Sequence, residues 1–96
     1  MLQKNAINSL QFDGLKTNLL VNNETGKIIL IYLEKGAVLA KHVSDTDASI
    51  TILEGRITFE INGEIYNMQK GDLFDFKKNE VHELVGIENA KILLCK

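Results

Sequence analysis

The chain has 96 residues, 45% of them hydrophobic and 25% charged, with eleven basic and thirteen acidic residues and a net charge of −2. That length suits one compact core, because a domain of this size buries somewhat over ~60% of its unfolded surface, and the composition excludes a disordered or fibrous chain. Charges of both signs are spread along the sequence, so no basic face is available to neutralise several phosphates, and nucleic acid is not an expected partner.

Taken in chain order, residues 1–26 read as an N-terminal edge segment. Ala6, Ile7 and Leu10 fit a short helix as well as a strand, and the stretch is expected to pack against, or extend, a sheet edge. Gln3, Lys4, Asn5 and Asn8 interrupt it, so it has no apolar signal-peptide core, and a cytoplasmic location is the expectation. The run Ile28–Leu33 is far shorter than the ~20 residues that span a bilayer, which removes a membrane role. It is also more apolar than one inward strand face requires, and from this a homodimer is expected.

Turn signals then recur at short intervals, at Lys35-Gly36, Glu54-Gly55, Asn62-Gly63, Lys70-Gly71 and Gly86 to Asn89, after earlier ones at Asp13-Gly14 and Asn22 to Gly26. Between them lie runs rich in Ile, Val, Leu, Phe, Tyr and Thr, which read as strands. In Arg56–Ile61, Ile57, Phe59 and Ile61 alternate with polar residues. Asn62-Gly63 follows, and then Glu64–Met68, which together predict a two-residue hairpin. Many short strands with no helical stretch between them indicate a sandwich or barrel. Cys95, the only cysteine, excludes an internal disulfide and is expected to be a small apolar residue of the last strand.

From Leu33 to Leu94 the chain resembles the cupins, small double-stranded β-helix barrels. Gly36 is followed after five residues by His42, and Gly55 closes this first motif in the run Ile52-Leu53-Glu54-Gly55-Arg56. Gly71-Asp72 opens the second motif and His82 falls on its histidine. The resemblance implies an all-β, cupin-type jelly-roll barrel as a single domain over 1–96, with the motifs at about 36–55 and 71–86. It also implies a metal centre of three imidazoles and one carboxylate, suited to iron, nickel, manganese or zinc. Two of those four positions depart from the family pattern. Ser44 stands where the second histidine belongs, and Ala48, or Ser49 on the longer spacing, where the carboxylate belongs. In the second motif Lys77, Asn79 and Gly86 replace a proline, a glycine and an asparagine.

Strand alternation puts His42 and Ser44 on one face, which the resemblance aims into the barrel, with His82 opposite. Two histidines are one ligand short of a usual catalytic zinc or non-haem iron site, and a serine hydroxyl carries no charge at pH 7. Asp45, Asp47, Glu80 and Glu83 are close enough in sequence to be considered as substitutes, Asp47 only if a bulge turns it inward. The expected function is small-molecule binding at the barrel mouth by His42, Ser44 and His82, with Ile52 and Phe74 as apolar lining, and with metal binding weakened or lost. The alternative is a metal-dependent enzyme of dioxygenase or isomerase type that uses His42 and His82 as ligands of a divalent transition metal. Phe59, Phe76 and Ile50 suit a plain core, and Tyr32 and Tyr66 suit half-buried strand positions. No residue identifies a substrate.

Overall fold

A computed structural model describes residues Met1–Lys96. Nine strands follow a 3-10 turn at Ala6–Asn8: β1 (Leu15–Asn23), β2 (Gly26–Leu33), β3 (Val38–His42), β4 (Ala48–Glu54), β5 (Arg56–Ile61), β6 (Glu64–Gln69), β7 (Leu73–Phe76), β8 (His82–Gly86) and β9 (Ala90–Cys95). They form a five-stranded sheet in the order β1-β2-β9-β4-β7 and a four-stranded sheet in the order β3-β8-β5-β6. Every neighbouring pair is antiparallel. No helix is long and apolar enough to cross a membrane.

The core lies between the two sheets, and period-two alternation fills it. Ala48, Ile50 and Ile52 of β4, Ile57, Phe59 and Ile61 of β5, and Leu84 of β8 are all buried. The expected hairpin is present. Asn62 (φ 51°) and Gly63 (φ 81°) both adopt left-handed conformations between the closing pair Ile61 and Glu64, as a two-residue turn that matches strand twist requires. Gly55, with φ 80°, joins β4 to β5 under a tighter constraint. A Cβ there would lie 2.0 Å from the carbonyl oxygen of Asn89.

β2 is buried on both faces, which accounts for its apolar run. Ile31 and Leu33 point into the core, whereas Leu30 and Tyr32 are equally buried and lie outside that cluster. The N-terminal segment runs over this outer face. The Tyr32 hydroxyl donates to the Ile7 carbonyl at 2.7 Å, and its ring stacks on Phe12 with centroids 4.7 Å apart. The Gln3 amide donates to the Leu20 carbonyl of β1, and Lys91 Nζ donates to Asn8 Oδ1. The apolar surplus at Leu30–Leu33 is therefore covered by the chain itself, while Ile28 and Ile29 stay half-buried. Residues 1–26 divide in two: a cover over β2, and β1 at the edge of the larger sheet.

Candidate binding site at the barrel mouth

His42 and His82 are directly opposite one another on β3 and β8. Simple alternation does not bring them together. Leu39 pairs with Leu84, and two residues further on period two would place Lys41 opposite His82. An extra residue in β3 between Leu39 and His42 shifts the register, so His42 turns inward and Lys41 stays exposed. The ring centroids are 4.1 Å apart, edge to face at 63°.

Both rings are held in the same way. His42 Nδ1 lies 2.7 Å from the Ala40 carbonyl oxygen and His82 Nδ1 lies 2.8 Å from that of Glu80. A carbonyl only accepts, so each Nδ1 carries the proton, and in the neutral ring each Nε2 offers a lone pair. Neither Nε2 has a hydrogen-bond partner in the protein. No side-chain nitrogen or oxygen is both unpartnered and shut off from solvent, so both Nε2 atoms reach water. His82 is 4% exposed, and burial pushes its pKa below the ordinary histidine value, with the nearby His42 adding to the effect against the opposing Glu80 carbonyl.

Aromatic rings continue from the histidines across the barrel. Phe76 is 4.6 Å and Phe59 5.8 Å from the His82 ring, Phe74 is 5.0 Å from Phe59, and Tyr66 is 4.9 Å from Phe74. Phe74 thus joins the histidines through Phe59. Ile52 lies deep in the core at 1% exposure, on the other side of Ile50 along β4, and lines no surface cavity. His82 lines a small recess of about 90 Å³ with Lys41, Glu60 and Glu83, while a larger groove of about 290 Å³ lies at the far end of β5, by Arg56, Ile57 and Met68.

Ser44 falls just beyond β3 and is buried in a turn. Its Oγ accepts from the Thr46 N–H at 3.2 Å and its carbonyl accepts from the Asn79 N–H at 2.9 Å, so it ties two turns together beside the histidines. Of the four carboxylates considered as substitute ligands, three are engaged elsewhere, and Glu83 lines the small recess beside His82. Asp47 accepts from the Lys78 N–H at 3.0 Å and faces Lys77 Nζ at 3.7 Å, and these contacts hold its carboxyl below the usual range. Glu80 accepts from the Lys77 N–H and from the Asn62 amide, and Asp45 pairs with Lys96.

Glu64 is the polar residue that the sequence left unmarked. The inner row across the smaller sheet runs His42, His82, Ile61, Glu64, because each is the direct partner of the next. Tyr66, two residues on, shares that face, and its hydroxyl donates to Glu64 Oε2 at 2.7 Å. The signal was available in the hairpin register, since the residue after Asn-Gly must face the same way as Ile61.

The metal centre implied by the family does not fit these residues. Nowhere do three His, Cys, Asp or Glu side chains converge to hold a metal ion. The Ser44 oxygen is engaged in its turn, and the Ala48 methyl is buried opposite Phe76, whose ring already packs on His82.

Comparison with known proteins agrees with the fold. The Cupin_2 profile, described as a cupin domain, matches residues 29–95. The pectin degradation protein KdgF of Dickeya dadantii (strain 3937) is 26% identical over 83 residues, 85% of this chain and 76% of that protein. A conserved protein of unknown function from Streptococcus pyogenes superposes with a TM-score of 0.80 at 28% identity, covering 88% of this chain and 75% of that one. An RmlC-like cupin from Desulfovibrio desulfuricans superposes at 0.88 with 21% identity, covering 99% and 94%. With two antiparallel sheets, a histidine from each motif on adjacent paired strands, and a profile match over most of its length, this chain belongs to the Cupin_2 cupin-domain family.

Proposed function

We propose that this protein binds a small molecule at the barrel mouth through His42 and His82, without a resident metal. The observation that carries this is the pair of parallel ring anchors. Each imidazole is fixed through Nδ1 to a backbone carbonyl, and each presents an unpartnered, solvent-reaching Nε2. A lone buried histidine is ordinarily satisfied at both nitrogens or packed away. Two together with free acceptors, backed by aromatic rings, make a polar spot on an apolar wall, the usual composition of a ligand site. Ser44 holds the turn beside it and Phe74 extends the wall. Similarity to a pectin degradation protein supports saccharides as the first compounds to try.

The test is an NMR titration of the imidazole nitrogens and carbon-bound ring protons with D-galactose and D-galacturonate. Saturable shifts at His42 and His82, abolished for both sugars by His42→Ala with the fold intact, are expected. No saturable shift at either histidine with these sugars would contradict the proposal. We also propose a homodimer through the free edge of β1, a nine-residue strand with Leu15 and Leu19 exposed. Light scattering at tens of micromolar should return twice the chain mass, and a monomer would refute it.

A further inference from the structure

The groups that line the mouth share one property, which is that they accept hydrogen bonds. Both imidazoles spend their only N–H on a backbone carbonyl, which leaves two Nε2 acceptors. At the other end of the same inner row stands the exposed Glu64 carboxylate, which takes the Tyr66 hydroxyl hydrogen on Oε2 and keeps Oε1 free of protein partners. Tyr66, its hydrogen committed to Glu64, presents lone pairs as well. One nearby cationic donor is already engaged, since Lys77 Nζ faces Asp47. Lys41 is exposed beside His42 and borders the recess that His82 lines, together with the carboxylates of Glu60 and Glu83.

Between these two ends lies an unbroken apolar floor. Ile61 separates His82 from Glu64 in the row, so the two residues are two strand spacings apart, or roughly 10 Å. The rings of Phe59, Phe74 and Tyr66 connect the ends from below. A flat ligand with donors on both sides fits such a shelf, its ring faces on the aromatics and its hydroxyl or amino hydrogens on the acceptors.

We infer that the mouth selects uncharged or amino-bearing polyols, such as neutral or amino sugars, over carboxylate-bearing ones, and that Glu64 is the specificity-determining residue. This rests on the binding role proposed for His42 and His82. An anionic ligand would meet two Nε2 lone pairs and the like charge of Glu64, whereas an ammonium would meet that carboxylate and the two acceptors.

The same imidazole NMR titration at pH 7.5 tests it with D-galactose, D-galactosamine and D-galacturonate, which differ at one substituent each. Affinity should fall in the order galactosamine, galactose, galacturonate. Glu64→Gln, at an exposed position, should narrow the ratio between the amino and acidic sugars by about fivefold, as loss of one charge contact near 4 Å in water implies. Histidine shifts with galacturonate binding tightest, or an affinity ratio unchanged in Glu64→Gln, would overturn this inference while leaving the mouth as the binding site. No histidine shift with any of the three would overturn both.

Discussion

His82 shows how much of the site depends on the surroundings of one side chain. Its ring is enclosed by Phe59, Phe76 and His42, and burial keeps it neutral below the pH at which a free histidine takes up a proton. The sign follows from linkage. With the folded pKa lowered, the unfolded chain binds the proton first, so stability is full above about pH 6.5 and is lost as pH falls from there toward the folded value. Thermal melts should therefore show a midpoint that drops below pH 6.5. His82→Phe, which keeps a ring among rings, should flatten that drop, and an unchanged pH profile in this variant would refute the assignment. Gly55 gives a second residue-scale expectation. Its left-handed backbone, and the Asn89 carbonyl oxygen that an added Cβ would overlap, leave no room for a methyl group, so Gly55→Ala should cost more than about 2 kcal/mol in urea denaturation.

At the scale of elements, what was legible in the sequence was what local chemistry dictates. Asn62-Gly63 specified its hairpin because only residues that tolerate positive φ close a two-residue turn, and the alternation in Ile57, Phe59 and Ile61 marked the buried face. The facing of His42 and His82 was implied by the resemblance to the cupins, but the backbone device that achieves it was not legible. An irregularity in β3 does what alternation alone would have undone, and a bulge leaves no mark in the sequence of a five-residue strand. Ser44, expected on the face of His42, sits instead past the strand end, holding a turn. The run in β2 was visible as surplus apolar surface, but not what covers it, because that depends on where residues 3–12 come to lie. Deleting residues 1–12 should expose Leu30 and Tyr32, each worth ~1.5–3 kcal/mol when buried. A lower melting temperature and stronger binding of a hydrophobic dye are expected. Unchanged values would mean that the segment does not protect this face.

For the whole molecule, the two sheets form the barrel architecture of the family while the chemistry at its mouth departs from the family's metal centre. The mouth is packed with rings where an added carboxylate or imidazole would have to reach. Ala48→Glu would press on Phe76, and Ser44→His would place its ring on a turn instead of a strand. The double variant should therefore bind transition metal weakly unless Phe76 is also reduced in size. Tight, stoichiometric metal in the double variant alone, measured by calorimetry, would show that the aromatic packing is not the obstacle. The proposed binding role would use the same frame, a barrel filled with side chains and two free imidazole acceptors at its opening.

On the proposed function, His42 and His82 face a ligand and not a resident metal ion. Elemental analysis tests it most directly, on protein made without a histidine tag, incubated in turn with iron, nickel, manganese and zinc and then dialysed. We expect metal content well below one ion per chain in every case. Near-stoichiometric metal that disappears in His42→Ala and in His82→Ala would contradict it.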